Sequence, residues 1–259
     1  MAEGIESMFR VDGLRALVTG ASSGLGRRFA LTLAQAGADL VVVARRADKL
    51  GGLVDEIQTL GGKCLAVSLD VTSAASIGAC FDQIDQSGGA ADIVVNNAGV
   101  TVTKPLLKQS EEDWDAVVGT NLKGGWLVAQ EAARRMVAAG KGGSIVNIAS
   151  ILGERVAGGV APYAVSKAGL VQVTKVMALE LARYDIRVNA ILPGYVVTDL
   201  NRDFLESEPG EKLRSRIPTR RFGQLENLDG PLLLLASGAG RHMTGSVLAV
   251  DGGHLVSSL

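Results

Sequence analysis

The sequence predicts an α/β protein built as a doubly wound, parallel, seven-stranded sheet in a single domain. Three observations carry this. Short runs of continuous Val, Ile and Leu, such as "LRALVT" and "DLVVVA", read as strands buried on both faces rather than on one. Stretches with apolar residues at helical spacing separate these runs in strict alternation. No Pro/Ser linker, low-complexity tract or solenoid-type repeat divides the 259 residues.

Taken in order, "LRALVT" (14 to 19) is the first strand and "GLGRRFALTLAQAG" (24 to 37) the first helix. "DLVVVA" (39 to 44) is strand again, followed by a helix through "ADKLGGLVDEIQTL". Strand "CLAVSLD" (64 to 70) leads to a helix opened by Thr72 or Ser73, whose hydroxyls suit an N-cap. Strand "DIVVNNAG" (92 to 99) precedes one long helical pattern from about Glu111 to Ala138. "GSIVNIAS" (143 to 150), a helix over 161 to 184 and strand "IRVNAILPG" (186 to 194) follow. A short helical insert, a helix near 226 to 237 and the strand "SVLAVDGG" complete the set.

Composition removes several function classes. Apolar residues make up 47% of the chain and charged residues 20%, which suits a large core and not a disordered chain. A net charge of −1 offers no broad attraction to nucleic acid or anionic membrane. No apolar run approaches bilayer length, and "MAEGIESMFRVDG" lacks the pattern of a secretory signal, so a cytoplasmic protein is expected. Cys64 and Cys80 are too few for a disulfide framework and read as small buried hydrophobes. Histidine occurs only at 242 and 254, no G-x-S-x-G elbow exists, and no Cys/His cluster has ligand spacing. Neither a histidine-based nucleophile nor a metal is expected.

In a doubly wound sheet, ligands gather where the strands end. After the first strand comes "TGASSGLG", with Gly20, Ser22, Ser23, Gly24, Leu25 and Gly26 running into a helix. Glycines there admit a pyrophosphate to the backbone, and the N–H groups and dipole of the helix start favour its charge. The second strand ends in Ala44-Arg45-Arg46 where a carboxylate would bind a ribose 2′-OH. Two arginines at a helix start oppose the dipole unless they meet an anion. A 2′-phosphate supplies one, so NADP(H) is favoured over NAD(H); otherwise both arginines point into solvent. Asp70 and Val71 end the third strand, where the carboxylate can accept from adenine, cap the next helix, or both. Asn97, Ala98 and Gly99 end the fourth, Ser150 the fifth and Pro193-Gly194 the sixth. "PYAVSK" adds Tyr163 and Lys167 on one helix face, either a proton donor beside a cation or a half-buried tyrosine beside a solvated lysine.

Together, Thr19-Gly20-x-x-x-Gly24-x-Gly26, Asn96-Asn97-Ala98-Gly99, Asn121, Ser150, Tyr163-x-x-x-Lys167 and Pro193-Gly194-x-x-x-Thr198 resemble the classical short-chain dehydrogenase/reductase family. These motifs stand in family order over nearly the whole chain, and Ser150 lies thirteen positions before Tyr163, as in the family. The resemblance implies a Rossmann fold and reversible hydride transfer between a nicotinamide and a secondary alcohol or ketone. It makes Tyr163 the proton donor or acceptor. Lys167 then lowers the phenol's pKa and holds the nicotinamide ribose, and Ser150 positions the substrate oxygen rather than merely capping the next loop. Asn121, a polar residue that an apolar helix surface tolerates only with a partner, anchors a proton-relay water or else makes a structural hydrogen bond, while Thr198 and the backbone near Val196 hold the carboxamide.

The segment 199 to 218 is the expected substrate-capping insert, whose mixture of charge with Phe204 and Leu205 suits either a mobile amphipathic lid or a solvated surface helix. "ARYDIRVNAILPGYVVTDL" is similar to gluconate-type dehydrogenases and also to 3-oxoacyl thioester reductases, which leaves the substrate open. Relatives assemble as homotetramers through the last helix and strand and through the long helices. Here Gly230-Pro231 falls inside the last helix, which should start near Gly230 or kink there, and a dimer is the alternative. Two rival functions stand beside a carbonyl reductase: an NAD-dependent sugar-acid dehydrogenase, and a nucleotide-binding scaffold without turnover.

Overall fold

A computed structural model of the chain describes residues 4–199 and 201–257, so Leu200 in the expected insert lies outside the described residues. The sheet has the order β3-β2-β1-β4-β5-β6-β7, with every neighbouring pair parallel. Its strands are β1 (Arg15–Thr19), β2 (Asp39–Ala44), β3 (Cys64–Ser68), β4 (Ile93–Asn96), β5 (Gly143–Ile148), β6 (Ile186–Pro193) and β7 (Val247–Val250). Order reverses between β1 and β4, which opens a crevice at their carboxyl ends.

Alternate residues of each strand feed two separate cores. Ala16, Val18, Leu40 and Val42 pack on one face against Phe29, Leu33, Ile57 and Leu232. Leu17, Val41, Val43 and Val94 pack on the other against Phe81, Ile84, Met136 and Met177. The helices that cover the first face include α1 (Gly24–Gln35) and α2 (Gly51–Thr59). Those on the second include α3 (Ala74–Gln86), which Ser73 caps by accepting from the Ser76 amide at 3.2 Å, and α5 (Gly125–Ala138). This double burial is why the strands are apolar without alternation. Cys80 is one of the buried residues, and burial pushes its thiol pKa up to about 12 and that of half-buried Cys64 to about 11.

Four elements depart from the sequence reading. Strand β4 stops at Asn96, because the amides of Asn97 and Ala98 both donate to Thr19 Oγ1 at 2.9 Å instead of continuing a ladder. The helix expected through 47 to 60 opens as a 3₁₀ turn, Ala47–Leu50, before α2. The long helix expected over 111 to 138 divides into α4 (Glu111–Val118) and α5, joined by a π-helical turn at Gly119–Gly124. The insert forms two short helices, α7 (Arg202–Leu205) and α8 (Glu208–Arg214). Helix α6 (Ala161–Leu181) runs unbroken, and the last helix, α9 (Asp229–Ala236), starts one residue before Gly230, which places Pro231 in its first turn where no N–H is needed.

Candidate active site

A cleft of about 1010 Å³ opens at the carboxyl ends of the strands. The β1–α1 turn forms one wall, and there Gly20 adopts φ 66°. A Cβ on Gly26 would stand 2.3 Å from the Gly20 carbonyl oxygen and 2.5 Å from Asn97 Nδ2, so only glycine lets the chain fold this tightly onto itself. Ser22, Ser23, Gly24 and Leu25 line the same wall, beside the first turn of α1. Asn97 Nδ2 donates to the Thr19 carbonyl at 2.9 Å, tying the β4 end to the β1 end at the switch point.

Arg45, Asp70 and Val71 line the far end of the cleft; Arg46 does not line it and is exposed at the start of the 3₁₀ turn. Asp70 Oδ1 accepts from the Thr72 hydroxyl at 2.7 Å and from its amide at 2.9 Å. These bonds hold the carboxyl below its ordinary pKa.

The reaction centre draws on α6, β5 and the π turn. Tyr163, Lys167 and Ser150 line the cleft together with Asn97, Ala98, Gly99, Pro193, Gly194, Val196 and Thr198. Asn121 lies behind them, 1% exposed, as the π turn aims its amide into the fold. Its Oδ1 accepts from the Val100 amide at 2.7 Å, and its Nδ2 donates to the Val100 carbonyl at 2.8 Å and to Ser166 Oγ at 3.1 Å. Ser150 Oγ accepts from the Leu152 amide at 3.1 Å, so it does cap the following turn while facing the cleft.

The expected lowering of the Tyr163 pKa by Lys167 is corrected by the structure. Burial raises the phenol pKa, nearby Tyr195 adds to the rise, and only a hydrogen-bonding contribution from Ser150 opposes it. Lys167 Nζ instead donates to the Ile148 carbonyl at 2.8 Å and stands 5.6 Å from the Tyr163 ring centre. Burial also weakens this cation, lowering its own pKa to about 8.

Several cleft residues escaped the sequence reading: Thr101, Thr103, Leu152 and Tyr195. Each follows shortly after a strand end, the one signal that marked them. Asn201 of the expected insert also lines the cleft and braces the 196–201 loop, accepting from the Thr198 amide at 2.8 Å and donating to the Val196 carbonyl at 2.9 Å.

A glycine-rich turn into α1, a Tyr-Lys pair one helical turn apart and a strand-end serine across the cleft define a nicotinamide-dependent oxidoreductase site. The family model described as enoyl-(acyl carrier protein) reductase matches residues 20–254. The chain belongs to the classical short-chain dehydrogenase/reductase family. It is accordingly an oxidoreductase that interconverts a ketone and a secondary alcohol with NAD(P)(H).

It is 38% identical over 252 residues to the 2-dehydro-3-deoxy-D-gluconate 5-dehydrogenase of Escherichia coli, covering 97% of this chain and 99% of that one. It is 39% identical over 247 residues to the 3-oxoacyl-[acyl-carrier-protein] reductase of Thermotoga maritima, covering 95% of this chain and all of that one (100%). The crystal structure of a gluconate 5-dehydrogenase from Burkholderia cenocepacia, in complex with NADP and tartrate, superposes with a TM-score of 0.94 at 38% identity, over 98% of this chain and 100% of that one. No helix among the described residues is long and apolar enough to cross a membrane.

Proposed function

We propose that the chain is an NADP(H)-preferring carbonyl reductase with Tyr163 as its acid/base. The observation that carries this reading is the convergence of Tyr163, Lys167 and Ser150 on the cleft that the glycine turn opens. The tight Gly20–Gly26 turn fits a pyrophosphate, because a Cβ at Gly26 would fill the space the turn needs. Arg45, at the far end of the same cleft, fits a 2′-phosphate. The dinucleotide, when bound, supplies the hydride and is oxidised as the carbonyl is reduced to the alcohol.

The chain's own residues supply the rest. Ser150 hydrogen-bonds the carbonyl oxygen and fixes its position. Tyr163 then delivers a proton to that oxygen as negative charge grows on it. The phenol is protonated at neutral pH, as reduction requires, although burial that raises its pKa also makes it a weaker donor. Lys167 replaces the proton from the cleft floor and holds the nicotinamide ribose, and Asn121 orders the backbone at Val100 beside it. Gly20, Ser22, Ser23, Gly24, Leu25, Gly26, Asp70, Val71, Asn97, Ala98, Gly99, Pro193, Gly194, Val196 and Thr198 form the remaining cofactor contacts. In this reading α7 and α8 cap the substrate, and the chain works in the cytoplasm as a homotetramer. Exposed Trp114, Trp126, Val165, Val176 and Leu179 on α4, α5 and α6 give apolar surface for such an assembly.

Titration with NADPH and with NADH tests the cofactor assignment. NADPH should bind more tightly, and Arg45→Ala should remove most of that preference, whereas Arg46→Ala should change it less. Equal binding of both dinucleotides would reject the phosphate site. Tyr163→Phe should lower kcat by at least about 10²-fold while the NADPH dissociation constant stays within about twofold. Comparable loss of binding would mean that Tyr163 holds the cofactor rather than moving a proton.

A further inference from the structure

We infer that the substrate is an uncharged, predominantly apolar ketone or its secondary alcohol, not a sugar acid. This rests on the active-site reading above and assigns its substrate class. Beyond the Tyr163 and Ser150 hydroxyls, the cleft is walled by Val100, Ile151, Leu152, Val160, Phe204 and Leu205. Phe204 lines the cleft from α7 and is half exposed, so about half of its surface lacks cover from the described residues. An apolar substrate would cover it and recover that burial.

Charge points the same way. The charged residues among the described lining are Arg45 and Asp70 at the far end and Lys167 at the reaction centre. A carboxylate bound among these walls would lose its water and needs a cation to replace it. Lys104, Arg155 and Arg202 are engaged by other groups, and Arg216, exposed near His254, does not line the cleft. Lys104 Nζ bonds both oxygens of Asp113 at 2.7 and 2.6 Å. Arg155 Nη1 donates to the His254 carbonyl and, at 2.8 Å, to Ser257 Oγ. His254 stands behind Tyr195 with ring centres 5.7 Å apart, and burial lowers its pKa, which disfavours its cationic form. Arg202 lies on the exposed side of α7 and pairs with Asp199 at 3.6 Å. The remaining polar groups of this region are neutral: the hydroxyls of Thr101, Thr103 and Tyr195, which accommodate a carbonyl or hydroxyl substituent, and the Asn201 amide, which bonds the Thr198 amide and the Val196 carbonyl.

The test compares NADPH-dependent reduction of an aryl alkyl ketone, 5-keto-D-gluconate and acetoacetyl-CoA. It also measures calorimetric binding of the same three compounds to the NADPH complex of Tyr163→Phe. The aryl alkyl ketone should show a kcat/KM at least about tenfold above either rival, and the tightest binding. Phe204→Ser, at an exposed position that leaves folding intact, should raise KM for the ketone about tenfold without changing NADPH affinity. Preference for 5-keto-D-gluconate or the thioester, in rate or in binding, overturns the substrate class and leaves the reductase reading standing. An unchanged KM in Phe204→Ser also overturns it. Tight binding of the ketone without turnover in the unmutated protein supports the substrate class and rejects the reductase reading, which separates the two failures.

Discussion

Lys167 carries a cation into a place where burial opposes it. The residue is 4% exposed, its one side-chain hydrogen bond among the described residues is to the Ile148 carbonyl, and its pKa falls to about 8 from an ordinary 10.5. The sign of the consequence follows from proton counting. Between these two values the unfolded chain holds more protons at this group than the folded one, so the group's contribution to stability rises with pH through that window. Below it the folded state bears the full cost of charging a buried amine, on the order of 3 kcal/mol. Lys167→Met should therefore raise the melting temperature at pH 7 by roughly 5–10 °C. That gain should shrink steadily as the pH climbs toward the ordinary lysine value. A variant no more stable than the parent at pH 7 would show that water or a counter-charge compensates Lys167. The same burial explains the corrected expectation for Tyr163. Spacing along a helix places a phenol and an ammonium on one face, but it carries no information about how dry that face is. Here dryness outweighs proximity for both groups.

At the scale of elements, the legible parts were those with a one-dimensional signature. All seven strands follow from continuous apolar runs, and Pro231 narrowed α9 to a start near Gly230 or a kink there, of which the structure shows the start. The π turn was hidden because one extra residue in a helix leaves the apolar pattern of Glu111 to Ala138 almost unchanged. Asn121 was recognised as a polar residue needing a partner, yet the partner, Val100, sits 21 positions away on the loop after β4. Such a pairing exists only once the sheet has formed. It carries its own prediction. Asn121→Ala leaves both the amide and the carbonyl of Val100 without their bonds, a loss of about 1–3 kcal/mol for each group that stays buried. The melting temperature should fall by several degrees, and the Val100 amide should lose protection against hydrogen exchange while amides of β2 keep theirs. Unchanged protection at Val100 would mean the loop is held by the sheet edge alone, and Asn121 would then be free for a purely chemical role.

Across the whole molecule, the cleft belongs to neither half of the sheet. The β1–β3 half supplies the glycine turn, Arg45 and Asp70; the β4–β6 half supplies Asn97 to Gly99, Ser150, Tyr163 and the 193–198 loop. Thr19 and Asn97 stitch the halves at the point where strand order reverses, and Arg28 on α1 pairs with Asp229 at the start of α9 across one face. A dinucleotide that touches both halves binds only when both are folded, so its binding energy adds to the stability of the whole chain. At a hundred times its dissociation constant NADPH should contribute about 2.7 kcal/mol. For a chain of this length that is a rise in melting temperature of roughly 5–8 °C. The unfolding transition should move as one step, and NADH at equal concentration should move it less. Gly26→Ala sets the control, because its methyl group would press on the Gly20 carbonyl and open the turn. Its own melting temperature should drop, and NADPH should no longer raise it. If the full NADPH shift survives in Gly26→Ala, the pyrophosphate rests elsewhere in the cleft and the glycine turn serves only the packing of α1 on β1.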